Sequence, residues 1–338
     1  MTLPTRVLGA SGLALSRIGF GAWAIGGPGW ASGWGPQDDD VSIAAMRHAV
    51  ERGVTWIDTA AVYGLGHSEE VVGQLLRTLP AADRPLVFTK CGLVWNERDR
   101  LADPTRDLSP ASVRRELEAS LRRLGVERID LYQFHRPDDQ TGTRVEDSWA
   151  EMIRFVVEGK VRAIGVSGFD VSLLDRCEAL RHVDSVQPPL SLIRREALGA
   201  EIPWAAAHGT GVIGYAPMQS GLLTDTFSRE KLAALPDDDW RRRSPRFSEP
   251  ALSQGLALRD ALRPIAARHD ASVSAVAVAW TLAWPGVTGA IVGARTPRQV
   301  DGWIGAAGLD LTPDDLLDIA AAIQRTGAGS GPIGSARA

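Results

Sequence analysis

Eight short apolar runs separated by amphipathic segments predict an α/β chain folded as a (β/α)8 TIM barrel, with an N-terminal β-hairpin and long loops at the C-terminal face. Three observations carry that expectation. The runs have the unbroken apolar character of parallel strands covered on both faces. The segments between them place apolar residues at three- and four-residue steps, as helices packed on a sheet do. Ser109-Pro110, Thr296-Pro297 and Thr312-Pro313 each set a capping residue before proline, which marks a helix start.

The strands are predicted at 16–21, 54–58, 86–90, 129–135, 161–166, 185–187, 211–215 and 288–292. Helices are predicted over 39–52, 68–79, 109–124, 145–158 and 172–181 from their apolar faces. Residues 5–15, centred on Gly9-Ala10-Ser11-Gly12, read as a hairpin that caps the barrel bottom. Loops 26–37 and 224–250 fall outside the repeat, and the second has the length of a lid. A single barrel domain is expected over 1–326, with 327–338 a flexible Gly/Ser/Ala-rich tail.

Composition narrows the function classes. A chain of 338 residues with 44% hydrophobic content can bury one large core. Its net charge of −4 argues against nucleic acid as the main partner. No apolar stretch reaches membrane-spanning length and the start has no signal-peptide segment, so a cytoplasmic protein without membrane partners is expected. Two cysteines make no disulfide framework, and six scattered histidines have no metal-site spacing. The run Gly19-Phe20-Gly21-Ala22-Trp23-Ala24 matches a dinucleotide-binding fingerprint, but the residues after it make a poor helix, so the motif lacks its context.

Chemistry concentrates at three consecutive strand ends. Asp58 ends the second run, Lys90 the third and His135 the fourth, with Tyr63 five residues past Asp58. In a closed barrel these ends are neighbours. A phenol has a reference pKa near 10 and is a weak donor at neutral pH. Lys90 beside Tyr63 is expected to lower that value, Asp58 to anchor Lys90, and His135 to orient the same oxygen. Such a site polarises and protonates a carbonyl.

No side chain supplies a hydride, so a cofactor must bring it. After the eighth run, Gly293-Ala294-Arg295-Thr296-Pro297-Arg298-Gln299 combines a small-residue turn, two arginines and a capped helix start suited to a phosphate. After the seventh, Tyr215, Pro217, Met218, Gln219, Ser220, Gly221 and Leu222 make a turn that a cofactor can approach. Trp23, Trp30, Trp34 and Trp95 lie in or near loops, where they stack either on a substrate or on one another. The Arg241–Arg243 run reads as a solvated face or a clamp on phosphates, and Cys91 as a packed thiol.

These motifs together, with Gly165-Val166-Ser167, make the chain resemble the aldo-keto reductases from the hairpin through Gln299. The resemblance implies an oxidoreductase that moves a hydride between NADPH/NADP+, with NADH possible, and an aldehyde, ketone or sugar. It implies Tyr63 as general acid/base, Asp58 and Lys90 as its tuning pair, and His135 as the group that positions the carbonyl. The cofactor would lie along Gly21, Ala22, Trp23 and Asp58. Ser167 and Gln187 would hold the carboxamide, Arg295 and Arg298 the 2′-phosphate, and Gln299 the adenosine end. Trp30 and Trp95 would join Tyr63 and His135 against substrate. Three positions depart from the pattern: Gly168 for an Asn, Leu190 for a stacking aromatic and Trp303 for an adenine-binding Asn. Two rival readings use the same residues, a Schiff-base lyase acting through Lys90 and a non-catalytic, cofactor-bound redox-sensing subunit.

Overall fold

A computed structural model of the chain describes residues 2–334. Strands β1 (Thr5–Val7) and β2 (Ala14–Ser16) form an antiparallel hairpin. The barrel strands are β3 (Ile18–Gly21), β4 (Trp56–Asp58) and β5 (Leu86–Cys91). After a small ribbon of β6 (Leu93–Val94) and β7 (Thr105–Arg106), they continue with β8 (Ile129–Phe134), β9 (Val161–Ser167) and β10 (Ser185–Gln187). Strands β11 (Gly211–Tyr215) and β12 (Val287–Gly293) complete the set, and β12 pairs back onto β3 to close a parallel barrel. Every predicted run is a barrel strand. The first starts at Ile18 because Ser16 belongs to the hairpin.

Side chains alternate across each strand, so two layers follow from period two. Trp56, Phe88, Leu131, Ala163, Ile213 and Ile291 point inward and pack with Leu8, Leu13 and Leu15 of the hairpin, which plugs the bottom. Gly9 makes that plug possible. Its φ is +50°, and a Cβ there would stand 2.4 Å from Gly211 N. Outward residues such as Phe20, Ile57, Tyr132 and Ile164 meet the helices in the larger core.

The first helices are α1 (Asp39–Glu51), α2 (His67–Thr78), α3 (Pro110–Leu124), α4 (Val145–Val157) and α5 (Val171–Glu178). Then follow α6 (Glu201–His208), α7 (Arg229–Ala233), α8 (Ala251–Ala261) and α9 (Arg263–Arg268). The last are α10 (Val273–Ala283), α11 (Pro297–Ile304) and α12 (Pro313–Thr326). Thr296 and Thr312 cap α11 and α12 through their hydroxyls, and Asp315 completes a reciprocal box with Thr312. Ser109 precedes α3 without a side-chain cap bond. No described helix is long and apolar enough to cross a membrane.

The segment expected to be a flexible tail is hydrogen-bonded over part of its length. Arg195 N donates to Ser330 O and Ser330 N to Ile193 O, each at 3.0 Å, while Arg195 Nη1 reaches Ala328 O at 3.2 Å. Gly329 fits this seam because a Cβ would meet the Ile193 carbonyl oxygen at 1.8 Å. Residues 335–338 of that expectation lie outside the described residues.

Candidate active site

Two residues beyond each inward apolar residue the same strand face reaches the barrel mouth. Trp56 leads to Asp58, Phe88 to Lys90, Leu131 to Gln133 and Ile213 to Tyr215. Register brings them together: Lys90 pairs with Gln133, and His135 N donates to Cys91 O at 2.9 Å. Tyr63 sits on the turn after β4. Its neighbour Gly64 has φ +63°, and a Cβ there would stand 2.0 Å from Gly26 O, so glycine lets the turn lie against the loop after β3.

The Lys90 ammonium donates to Asp58 Oδ1 at 2.5 Å, Thr59 O at 2.9 Å and Tyr63 Oη at 3.4 Å. That uses all three of its protons. The second Asp58 oxygen accepts from Gln187 Nε2 at 2.9 Å. Both charges are buried, at 1% and 2% exposure, so each depends on the other to remain ionised. Burial works against the ammonium, but Asp58 and then Tyr63 outweigh it and hold Lys90 above the usual lysine range. A Schiff-base role needs a neutral amine, and this environment opposes one.

Tyr63 corrects one expectation. Lys90 does pull the phenol down, but burial pushes it up more strongly and Asp58 adds to the rise, so Tyr63 lies above its ordinary value. Lys90 therefore limits the rise rather than acidifying the group outright, and Tyr63 stays protonated at neutral pH. His135 stacks edge-on to it with ring centroids 5.5 Å apart. Burial, with Lys90 and Arg136 beside it, holds His135 well below the usual histidine range, which leaves a neutral imidazole.

The predicted cofactor residues line two neighbouring edges of the mouth. Gly21 and Gly293 are paired across β3 and β12. Ala22 N donates to Asp58 O at 2.8 Å, and Ser167 Oγ donates to Gln187 O at 2.9 Å. After β11, Ala216, Gln219, Ser220 and Gly221 have φ of +56°, +48°, +55° and +96°. Left-handed conformations are costly for side-chain-bearing residues, and here they fold the turn onto itself: Gln219 N donates to Ala216 O at 3.0 Å, and Gly221 N and Leu223 N donate to Met218 O at 3.2 and 3.1 Å. Pro217 is buried and Met218 half-buried in the same turn. Gln219 turns its amide to Ser191 Oγ at 2.7 Å, and Leu222 packs with Phe227 and Phe247, so both side chains are committed within the turn.

The turn after β12 differs from the open phosphate site expected of it. Arg295 Nε donates to Gln37 Oε1 at 2.6 Å, Nη1 to Trp34 O at 3.2 Å and Nη2 to Pro36 O. Ala294 is buried, Arg298 and Gln299 are exposed, and Gln299 Oε1 accepts from Arg295 N at 2.7 Å. Trp303 lies in the core at 1% exposure, and Leu190 is buried too.

The loop aromatics pack on one another. Trp23 stacks on Trp240 at 5.1 Å and lies edge-on to Trp34 at 5.2 Å, with Tyr63 6.3 Å away. Trp30 and Trp95 join Tyr63 in one cluster; Trp30 is buried, and Trp95 Nε1 donates to Glu97 Oε1 at 2.9 Å. The arginine run divides. Arg241 is buried, paired with Asp239 at 2.6 Å and 4.4 Å from the Trp34 ring, while Arg242 and Arg243 are exposed. Cys91 is a buried thiol that burial pushes well up, as a packed thiol should be. Gln133, Arg136 and Trp240 are the site-lining residues that motif reading missed. For Gln133 the signal was available, because period two counted from Leu131 lands on it.

Comparison with known proteins fits this geometry. The model of the Aldo/keto reductase family matches residues 17–324. Aldo-keto reductase YhdN of Bacillus subtilis (strain 168) is 35% identical over 317 residues, covering 94% of this chain and 92% of that protein. The NADH-specific methylglyoxal reductase of Escherichia coli (strain K12) is 31% identical over 331 residues, with 94% and 98% covered. The solved structure of the glycerol dehydrogenase AKR11B4 from Gluconobacter oxydans superposes with a TM-score of 0.85 at 37% identity, covering 97% of each chain.

Proposed function

Because the chain belongs to the aldo/keto reductase family and is an oxidoreductase of that kind, we propose that it interconverts a small carbonyl compound and its alcohol with Tyr63 as the proton donor and acceptor. The observation that carries this reading is the buried Lys90 ammonium held between Asp58 and the Tyr63 hydroxyl. The family's nicotinamide cofactor, when bound, supplies or accepts the hydride. Everything else falls to side chains. Protonated Tyr63 gives its proton to the carbonyl oxygen, and Lys90 offsets the negative charge left on the phenol. Neutral His135, edge-on to Tyr63, offers an N–H to the same oxygen. In oxidation the same groups act in reverse order.

NADP(H) is the proposed cofactor, supported by Arg295 and Arg298 at one capped helix start. NADH is the competing reading, since Arg295 is engaged by the loop after β3 and one relative is NADH-specific by name. The proposed substrates are small aldehydes, ketones or sugars. Methylglyoxal, named for one relative, belongs to that range, and glycerol, named for another, is the alcohol partner of a small carbonyl compound.

Tyr63→Phe tests the assignment. Its kcat for reduction should fall about 10²–10⁴-fold, while cofactor affinity, read from tryptophan quenching, stays close to wild type. Undiminished turnover in this variant would take the proton step away from Tyr63.

A further inference from the structure

Arg136, Arg194 and Arg246 gather around the Tyr215 hydroxyl at the barrel mouth, and none forms an ion pair among the described residues. Arg136 follows His135 directly and crosses the mouth, donating from Nη2 to Tyr215 Oη at 3.3 Å. Gly168 lies beside the crossing. It has φ +68°, and a Cβ there would stand 2.6 Å from Arg136 Nη1, so the residue that departs from the family pattern leaves room for the guanidinium where it lies. Arg246 lies over the Trp240 ring at 5.5 Å.

The electrostatics agree. Burial lowers Arg246, and repulsion from Arg194 and Arg136 lowers it further. Burial would raise Tyr215, yet Arg136 and then Arg194 bring it below its usual value. Three cations brought together without a counter-charge destabilise one another, and a guanidinium fork matches a carboxylate or a phosphate.

We propose that these arginines form an anion subsite beside the reaction centre, with Arg136 the specificity-determining residue, and that the carbonyl substrate carries a carboxylate or phosphate. The inference rests on the reductase reading above and goes beyond it, because methylglyoxal and glycerol are uncharged. Arg136 is placed for a substrate group: it adjoins His135 and donates to Tyr215 Oη across the mouth, whereas Arg295 and Arg298, the arginines proposed for the cofactor's phosphate, stand at the separate turn after β12.

The test compares kcat/KM within two matched pairs, 4-oxobutanoate against butanal and glyceraldehyde 3-phosphate against glyceraldehyde. The wild type should favour the charged member by about tenfold or more. Arg136→Met and, separately, Arg194→Met should each bring that ratio toward one. A second readout needs no turnover. With only three tyrosines in the chain, phenolate absorbance near 295 nm can follow Tyr215, identified by its loss in Tyr215→Phe. Its transition should move to higher pH in Arg136→Met and when inorganic phosphate or succinate is added to wild type. Equal use of charged and neutral substrates by the wild type would overturn the proposal, as would a ratio that survives both substitutions. Loss of NADPH affinity in Arg136→Met with the ratio intact would assign the guanidinium to the cofactor and also overturn it. Failure of the reductase reading would look different: no carbonyl, charged or neutral, would be reduced with either NADPH or NADH, while the anion-dependent titration of Tyr215 persisted.

Discussion

The floor of the barrel mouth and the loops above it are built on different principles. On the floor, Asp58, Lys90 and Gln187 come from three strands and join through bonds of 2.5 to 2.9 Å, at positions fixed by strand register. Above it, the loops at 26–37 and 224–250 hold each other through Trp23 on Trp240, Trp240 N to Gly33 O at 3.1 Å, and Arg241 over Trp34. Arg295 joins that assembly by donating to Gln37 and two loop carbonyls. The floor is thus held by contacts between the strands themselves, whereas the loops engage Arg295, the residue proposed for a 2′-phosphate. Proton transfer should then depend on strand geometry, and cofactor selection on how readily the loops give up their contacts.

The largest effect is expected from breaking the floor. Lys90→Met leaves Asp58 buried with no counter-charge, at a cost of about 3–5 kcal/mol in unfolding free energy. Adding Asp58→Asn should recover much of that stability but no activity, which would separate the ion pair's structural part from its chemical part. The pH dependence has a definite sign. Lys90 binds its proton more tightly in the fold than in the unfolded chain, so its contribution is complete below pH 10.5 and fades as pH rises through the higher folded value. Denaturant titrations at alkaline pH should show that limb in wild type and not in Lys90→Met. If the variant unfolds like wild type throughout, the floor is not held together by this pair.

The loops come next. Arg295→Met removes one charge-assisted phosphate contact and the three loop bonds together. If Arg295 turns to a 2′-phosphate, NADPH affinity should fall about tenfold, with NADH affinity unchanged or improved as the loops loosen. An equal loss for both cofactors would mean that Arg295 serves the loops alone. Titration of tryptophan fluorescence reads either outcome, because Trp23, Trp34 and Trp240 lie in that assembly.

The same division explains what could be read from the sequence. Strands buried on both faces are apolar throughout, so all eight stood out, and polar residues at their ends were conspicuous against that background. Asp58, Lys90 and His135 were legible for this reason. Helix α10 was not, because Val273–Ala283 is buried on almost every side and therefore has no polar face to reveal a 3.6-residue period. Loop contacts were equally hidden. Nothing local says that Trp240 will meet Trp23, or that Arg295 will turn toward Gln37, since those partners lie more than two hundred residues apart and are joined only once the barrel closes. The net rise at Tyr63 was missed for a related reason: a charge neighbour can be read from spacing, but the depth of burial that outweighs it cannot.

The smallest expected effect concerns how the floor is supported from behind. Glu116 of α3 accepts from Gly92 N through both oxygens, at 3.0 and 3.1 Å, just past the end of β5 and two residues from Lys90. Burial pushes its carboxyl up to about 8; the Gly92 N–H opposes the rise, and Asp107 and Glu69 add to it. Glu116 is therefore protonated in the fold at pH values where the unfolded chain has already lost that proton, and stability should fall as pH rises from about 4.5 to about 8. Glu116→Gln keeps an acceptor for Gly92 and removes the ionisation. The residue is half-buried and the Gly92 N–H favours the anion, so the gain in unfolding free energy at pH 9 should be about 1 kcal/mol, shrinking to nothing near pH 4. Urea unfolding at those two pH values measures it. A pH-independent difference would show that Glu116 acts by shape alone. A pH-dependent gain without change in kcat would place its charge behind the floor and outside the proton path, so that what β5 needs there is an acceptor for Gly92 and not an ion.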